Sequence, residues 1–166
     1  MNNYSIRTAT ISDISTIKTL AEATWEPTYK SILEKEQIDY MFDVIYSSEA
    51  LQQQMQDEQK FLLLFDEQKK PLGFASYSLK DAVEQIYKLN KIYLLPVCQG
   101  KGLGKLLLTY AENEVRELGG RYLDLNVNKY NKAKAFYEIC GYHVHHEEDI
   151  PIGPYWMNDF VMRKQL

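Results

Sequence analysis

The sequence predicts a mixed α/β domain. Apolar runs of strand length alternate with longer segments in which apolar residues recur at helical spacing. Gly, Pro, Asn and Asp residues cluster between these segments, as is typical of turns. The 166 residues contain no low-complexity linker, internal repeat or shift in composition, so we expect one folding unit spanning 1–166.

The N-terminal part predicts a strand over residues 4–10 and then a helix. Ser12 is a candidate N-cap of that helix. Its apolar face comprises Ile14, Ile17, Leu20 and Ala21. Pro27 disfavours helical backbone at the residue before it, so the stretch TWEPTY, residues 24–29, is predicted to break the helix.

A second helical region follows this break. One apolar face of it comprises Ile38, Met41, Phe42 and Ile45. Ser48 is then predicted to cap a further short helix that holds Leu51 and Met55.

The rest of the chain is richer in strands. Residues 60–79 predict a hairpin whose connection is the polar stretch DEQKKP, and residues 86–95 predict a strand that ends at Pro96. The later predicted elements are a helix from Gly102 that Gly119 and Gly120 stop, a strand over 121–127, a helix over 131–139, and closing strands over 142–146 and 155–164. The predicted order is β-α-α-β-β-β-α-β-α-β-β.

Composition and charge narrow the classes of function. The chain is 45% hydrophobic and 25% charged, an ordinary globular balance, and its net charge is −4. This charge argues against an unselective nucleic-acid binder and is compatible with a cationic substrate. Cys98 and Cys140 form no metal-binding or redox spacing. No signal peptide or membrane-length apolar run is present, so we expect a cytoplasmic protein without a membrane partner.

The segment QGKGLG places three glycines where a predicted strand gives way to a helix. Gly100, Gly102 and Gly104 allow successive backbone N–H groups to turn to one side, and the helix start adds unpaired N–H groups and a positive partial charge. Lys101 and Lys105 add full charges. The segment therefore predicts an anion site, most naturally for phosphate.

The two common nucleotide loops do not fit this segment. A Walker A loop requires a glycine where Gln99 stands and a hydroxyl where Leu106 stands. The dinucleotide-binding pattern requires a third glycine where Lys105 stands.

The pattern that fits is Gln-x-x-Gly-x-Gly, carried by Gln99, Gly102 and Gly104. In it the chain resembles the GNAT superfamily of acetyl-CoA-dependent N-acetyltransferases. The segment LNVNKYNKAKAFYEICGY also resembles that family's later motif N-x-x-A-x-x-F-Y-x-x-x-G-[FY], with Lys134 at the usual alanine position, beside Ala133. The matching positions are Asn131, Phe136, Tyr137, Gly141 and Tyr142. The predicted element order agrees with the family's across nearly the whole chain.

The resemblance implies a fold and a cosubstrate. The implied fold is a mixed, mostly antiparallel central sheet with helices on both faces, in which splayed core strands form the acetyl-CoA cleft. The implied cosubstrate is acetyl-CoA, and the reaction requires no metal.

The resemblance also implies binding residues. The loop formed by Gln99, Gly100, Lys101, Gly102, Leu103, Gly104 and Lys105 would hold the pyrophosphate through its backbone N–H groups. The strand end formed by Ile92, Tyr93 and Leu94 would pair with the pantetheine arm, and one N–H near Tyr93 or Leu94 would polarise the thioester carbonyl. Asn131 would cap its helix and touch the coenzyme.

Tyr137 is the predicted general acid, because a phenol with a pKa of about 10 can protonate a departing thiolate whose conjugate acid has a pKa of about 8.5. The general base is open. Some family members use a Glu near the position of Lys88, where this sequence has no carboxylate. A water chain held by Asn90, or the carboxylates of Glu26 and Glu84, are the alternatives.

The resemblance implies an acceptor pocket between the loop after the first helix and the closing strands, here the stretches ATWEPTYKS and IPIGPYWMND. Its predicted aromatic walls are Trp25, Tyr29, Tyr155 and Trp156. Glu26, the run 147–149 and Asp159 are predicted to attract a cation. We assign substrate binding to Trp25, Glu26 and Tyr29, and the layout resembles bacterial spermidine/spermine acetyltransferases.

These features predict acetyl transfer to a primary amine of a small, polyamine-like molecule by direct attack in a ternary complex. A protein or peptide acetyltransferase and a non-catalytic coenzyme A-binding module remain alternatives. His143 and His145 share a strand face but lack a third ligand, so we expect no metal site. An exposed final strand makes a homodimer conceivable.

Overall fold

One sheet organises the molecule, and the computed structural model describes residues 3–166 of it. Its strands are β1 (Ser5–Thr8), β2 (Lys60–Phe65), β3 (Pro71–Asp81), β4 (Ile86–Leu94), β5 (Tyr122–Asn128), β6 (His143–Ile152) and β7 (Tyr155–Gln165). They lie in the order β1-β2-β3-β4-β5-β7-β6. All neighbours run antiparallel except β4 and β5, which run parallel.

Helices cover both faces of this sheet. They are α1 (Ile14–Tyr29), α2 (Lys35–Tyr46), α3 (Ser48–Gln56), α4 (Leu103–Glu117) and α5 (Ala133–Ile139). Helices α1 to α3 share one apolar cluster with Phe61 and Leu63 of β2, whereas α4 and α5 share the other with Leu62 and Leu64. Successive side chains of a strand point to opposite faces, so β2 is apolar throughout because both faces are covered. The predicted mixed sheet with helices on both faces is confirmed.

The predicted break at TWEPTY is wrong, because α1 continues to Tyr29 with Pro27 inside it. Pro27 lies in the last turn and removes only one helical hydrogen bond. Burial of Trp25 and Tyr29 in the core outweighs that loss. The second helical region and the further short helix predicted after it are α2 and α3, so three helices precede β2, one more than the predicted order β-α-α-β counts.

Two predicted caps shift by a few residues. A short 3-10 turn, Ile11–Asp13, precedes α1, and the Thr10 backbone N–H donates to Asp13 Oδ2 at 2.8 Å, so Ser12 is not the cap. At α3 the cap is Ser47, whose Oγ accepts from the backbone N–H of Ala50 at 3.1 Å, and Ser48 is the first helical residue.

The parallel pair β4–β5 opens like a V. Within residues 3–166, the two strands pair only from Ile86 with Tyr122 to Leu89 with Leu125. Beyond that point β4 stays paired with β3, and β5 stays paired with β7. At the opening Asn90 is a β-bulge, because Tyr77 pairs with Leu89 while Ser76 pairs with Lys91. The predicted splay of the core strands is confirmed.

The closed end of the V contains a buried ion network around Asp124 of β5. Asp124 Oδ1 accepts from Arg163 Nε at 2.7 Å, and Oδ2 accepts from Lys80 Nζ at 2.8 Å and Arg163 Nη2 at 3.0 Å. Burial raises the pKa of Asp124, but the hydrogen bonds from Arg163 and Lys80 outweigh it and hold the pKa below its ordinary value. This carboxylate is fully partnered.

Candidate functional site

The open end of the V leads into a cleft of about 680 Å³. Its walls come from the end of α1, the free part of β4, the glycine loop, the end of β5 and the start of α5. Among the residues predicted for a site, those that line the cleft are Tyr29, Asn90, Ile92, Tyr93, Leu94, Gln99, Gly100, Gly104, Asn131 and Tyr137. The volume suits one small-molecule site.

The glycine loop forms one end of this cleft. Gly100 and Gly102 have φ angles of +80° and +77°, which glycine adopts without strain. Gly102 is the N-cap of α4, and the first helical hydrogen bond runs from the Leu106 N–H to the Gly102 carbonyl at 3.1 Å. The N–H groups of residues 103–105 precede that bond and have no partner within the helix. The loop thus presents backbone donors suited to an anion.

The remaining predicted loop residues lie beside this end. Lys101, Gly102 and Lys105 are outside the cleft lining, and Leu103 is buried in the core with its side chain 3% exposed. Cys98 is buried in the same core cluster as Leu103.

The free part of β4 forms the long wall. Ile92, Tyr93 and Leu94 pair with Ala75, Phe74 and Gly73 of β3 on one edge. Within residues 3–166 their other edge has no strand partner, so it can accept an extended chain through main-chain hydrogen bonds.

Tyr137 stands across the cleft, on α5. Its ring is 5.4 Å from the Phe136 ring and 6.1 Å from the Tyr142 ring, measured between centroids. Within the described chain its hydroxyl has no hydrogen-bond partner, although the residue lines the cleft. Burial, with a smaller contribution from Tyr29, raises the pKa of Tyr137 above its ordinary value. The phenol therefore stays protonated at neutral pH and can donate a hydrogen bond into the cleft.

Tyr29 closes the cleft from the side of α1. Its hydroxyl oxygen lies 3.3 Å from the Tyr93 hydroxyl oxygen, and burial raises the pKa of Tyr29, with Asp159 adding to the rise. Trp25 lies behind Tyr29 with 4.5 Å between ring centroids, and its Nε1 donates to the Ile38 carbonyl at 3.2 Å. Trp25 is thus core.

The other residues predicted for the acceptor pocket lie outside the cleft lining. Glu26 is exposed on α1. Tyr155 packs against Tyr40 of α2 at 5.5 Å between centroids, and Trp156 is 58% exposed. Of the three residues assigned to substrate binding, the structure brings only Tyr29 to the cleft.

Of the candidates for a general base, some lie in the cleft and others lie outside it. Asn90 lines the cleft, and its Nδ2 donates to Ser78 Oγ at 2.8 Å. Glu84 is exposed in the turn before β4, at the closed end of the V. Lys88 is half-buried, and burial together with Lys80 lowers its pKa.

Sequence reasoning missed Asn126 of β5, which lines the cleft. Its Nδ2 donates to Asp159 Oδ2 of β7 at 3.3 Å. The strand alternation in RYLDLNV places Asn126 on the same face as Asp124, which was the available signal. Only the pairing of β5 with β7 shows that Asp159 lies behind it.

Two further structural findings concern metals and membranes. In the described part of the chain, no group of three His, Cys, Asp or Glu side chains is placed to hold a metal ion. β6 is irregular between Val144 and His146, and the Nδ1 atoms of His145 and His146 lie 2.7 Å apart.

No helix within residues 3–166 has the length and apolarity needed to cross a bilayer.

Comparison with known proteins identifies the family. The model of the acetyltransferase (GNAT) domain matches residues 29–157, which is most of the chain. The chain belongs to the GNAT family of acetyltransferases. It is an acetyl-CoA-dependent N-acetyltransferase, and acetyl-CoA is its cosubstrate. The resemblance drawn from the two sequence motifs is confirmed.

Individual relatives agree with this assignment. The spermidine N(1)-acetyltransferase of Thermoplasma acidophilum is 30% identical over 171 residues, covering 98% of each chain. The uncharacterized N-acetyltransferase YhfO of Bacillus subtilis is 30% identical over 112 residues, covering 65% of this chain and 72% of that protein. The crystal structure of the PaiA N-acetyltransferase from T. acidophilum, in complex with coenzyme A, superposes with a TM-score of 0.82 at 28% identity, covering 99% of each chain.

Proposed function

We propose that this GNAT acetyltransferase transfers the acetyl group of acetyl-CoA to a primary amine of a small, polyamine-like molecule, by direct attack in a ternary complex. The observation that carries the proposal is the cleft itself. It brings the glycine loop, the free edge of β4, Tyr137 and Tyr29 around one space of about 680 Å³.

Binding of the cosubstrate follows from two features of the backbone. The donors at the start of α4 suit the pyrophosphate, with Lys101 and Lys105 contributing positive charge nearby. The free edge of β4 suits the amide groups of the pantetheine arm, as in the addition of a strand to a sheet. Asn131 lies one residue before Lys132, which is the N-cap of α5, so Asn131 is not the predicted cap. Its Oδ1 accepts from the Ala133 N–H at 2.9 Å, and the residue borders the same space.

The reaction then needs a hydrogen-bond donor at the thioester carbonyl oxygen and a proton donor at the departing sulfur. A backbone N–H near Tyr93 or Leu94 polarises the thioester carbonyl as the amine nitrogen attacks its carbon. The C–N bond forms, the C–S bond breaks, and Tyr137 supplies a proton to the departing sulfur. Burial raises the pKa of Tyr137 and makes it a weaker acid than a free phenol, so its first contribution is a hydrogen bond to the sulfur as negative charge develops there.

The amine must lose a proton during the reaction, because a primary amine with a pKa of about 10.4 is mostly protonated at neutral pH. Asn90 lines the cleft at the β4 bulge. We propose that its side chain holds a chain of water molecules that carries this proton to solvent. The similarity to a spermidine acetyltransferase over 98% of both chains favours a polyamine as the acceptor.

The test is an amine panel. Thiol release and the mass of the product are measured with spermidine, a short monoamine, an aminoglycoside and a lysine peptide. Turnover with spermidine at the highest kcat/KM supports the proposal. Turnover with the peptide alone would assign a peptide acetyltransferase instead.

Several expectations from the sequence stay predictions. They are a single domain over 1–166, a cytoplasmic location, the absence of a nucleic-acid partner and a possible homodimer. Sedimentation of the purified chain tests the last of these.

A further inference from the structure

A buried carboxylate at the open end of the V is only half partnered. Asp159 is 5% exposed, and its Oδ2 accepts from Asn126 Nδ2 at 3.3 Å. In residues 3–166, Asp159 Oδ1 is the one buried side-chain nitrogen or oxygen atom without a hydrogen-bond partner. Such an atom is costly, so its presence in a folded chain calls for an explanation, of which a ligand or an ordered water is the simplest.

The groups around Asp159 do not neutralise it. Lys88 is the nearby cation, and it makes no ion pair with Asp159. Glu148, directly opposite on β6, and Asp149 add negative charge. Burial raises the pKa of Asp159, Asn126 and Lys88 lower it, and Glu148 and Asp149 raise it further, with a net rise. Lys129 is also in this region, but it pairs with Glu147 and acts on Asp149. Asp159 itself is left without an ion pair among the described residues.

Asn126 connects this carboxylate to the cleft. Its Nδ2 is held by Asp159, while its Oδ1 has no partner in the described chain, and the residue lines the cleft. Donation to a carboxylate polarises the carboxamide and makes its oxygen a stronger acceptor. The amide orientation is fixed because only Nδ2 can donate to Asp159.

The position of Asn126 is equally specific. Leu89 and Leu125 are the last pair of β4 and β5, and Asn126 follows directly, so it stands at the apex of the V. The free edge of β4 begins at Asn90, on the other side of that apex. An elongated amine that attacks a thioester held farther along β4 can extend across this point of the cleft.

We propose that Asn126 Oδ1 accepts a hydrogen bond from the N–H of the cationic acceptor amine, and that Asp159 is a positioning residue that orients Asn126 and supplies its negative potential. This inference rests on the proposed function and deepens it. It makes the acceptor class a protonated alkylamine that binds as a cation, and it gives Asp159 a role in acceptor affinity rather than in bond breaking.

The experiment uses the full chain with Asp159→Asn, Asn126→Ala and the double variant. Spermidine is the acceptor at saturating acetyl-CoA, and spermidine binding to the enzyme–coenzyme A complex is measured by calorimetry. Each single variant is expected to raise the spermidine KM and Kd by about tenfold, as for loss of a charge-assisted hydrogen bond. Coenzyme A affinity and kcat should change less than twofold.

The double variant separates positioning from a merely structural role. If Asp159 acts through Asn126, the double variant binds spermidine no more weakly than Asn126→Ala within about twofold. Multiplied losses, or an unchanged spermidine KM in either variant, overturn the proposal. If Asp159→Asn does not fold, the spermidine KM and Kd of Asn126→Ala decide the proposal, because Asn126 is only half-buried and its variant should fold. Glu117→Gln, which removes an exposed carboxylate of α4, is the control and should leave spermidine KM unchanged.

Failure of the proposed function gives a different result. Wild type that binds coenzyme A and acetylates none of the amines rejects the proposed function alone. The inference is then decided by calorimetry, where spermidine binding must be present in wild type and weakened in Asn126→Ala. Absence of spermidine binding in wild type overturns the inference as well.

Discussion

A buried carboxylate lies at each end of the β4–β5 pair, and the two differ in how many of their oxygen atoms have partners. At the closed end Asp124 is fully buried and bound by Arg163 and Lys80. At the open end Asp159, on the same sheet face, has one amide donor and one unpartnered oxygen. Removing a fully partnered buried carboxylate leaves its cationic partners uncompensated and destabilises the fold, whereas an incompletely partnered carboxylate can still interact with a ligand. The contrast predicts that substitutions at the closed end change stability and those at the open end change function.

The largest expected effect is at the closed end. Asp124→Ala leaves the charges of Arg163 and Lys80 without their partner and opens a cavity, so the free energy of unfolding should fall by about 3 kcal/mol. Urea denaturation measures it. Asp39→Ala, which removes a surface partner of Lys35 on α2, is the control and should change nothing measurable.

Asp159→Asn should behave in the opposite way in the same denaturation experiment. Because burial raises the pKa of Asp159, its ionised form at neutral pH costs stability, and the variant should unfold at an equal or higher urea concentration. A loss as large as that of Asp124→Ala would remove the contrast between the two ends.

The next effect concerns Tyr137. Tyr137→Phe removes the proposed proton donor and should lower kcat by about 100-fold, with acetyl-CoA affinity and stability nearly unchanged. Steady-state kinetics and calorimetry measure these. Tyr130→Phe, at a cleft residue that is 74% exposed, is the matched control and should retain kcat. Equal losses in both variants would argue against a specific role for Tyr137.

A pair of glycines separates backbone strain from ligand binding. Gly102 and Gly119, near the two ends of α4, have φ angles of +77° and +88°, and at either position an added Cβ would meet no atom of residues 3–166 within 4 Å. Alanine at each should cost about 1–2 kcal/mol of stability, because left-handed backbone disfavours a Cβ. Only Gly102→Ala should also weaken coenzyme A binding, by about tenfold. Equal coenzyme A affinity in the two variants would contradict a pyrophosphate site at this loop.

The most gradual effect depends on pH and concerns Lys91, a buried cation that has no carboxylate partner in the described chain. Lys91 Nζ donates to Gln54 Oε1 and Gln59 Oε1, each at 2.7 Å, and burial, with a contribution from Lys88, lowers the pKa of Lys91 to about 7. Between that value and its ordinary pKa the unfolded chain binds more protons than the folded one. Stability should therefore rise with pH above about 7, by roughly 1 kcal/mol per pH unit or less, levelling off near the ordinary lysine pKa of about 10.4.

Denaturation midpoints from pH 7 to 10 measure this slope. Lys91→Met removes the titrating group and should flatten the curve, whereas Lys60→Met, at an exposed lysine of β2, should leave it unchanged. A wild-type curve that falls over this range would show that Lys91 is not the dominant titrating group.

Local patterns were enough for most of the fold. Apolar spacing predicted the strands and helices, and the glycines of QGKGLG predicted a donor-rich turn, because both depend on residues that are near one another in sequence. The helix through Pro27 was not predictable in this way. Its continuation depends on burial of Trp25 and Tyr29 against distant strands, which outweighs the local preference.

The residues of the site also fall into those that a short sequence motif predicts and those that only the tertiary structure brings together. The sequence by itself determined the family, the glycine loop and the position of Tyr137, because each lies within one short motif. Only the tertiary structure decided where β4 leaves β5, that Trp25 is core while Tyr29 lines the cleft, and that Asp159 holds Asn126. Asn126 and Asp159 are 33 residues apart and meet through the antiparallel register of β5 and β7. Register depends on the whole sheet, so no local pattern contains it.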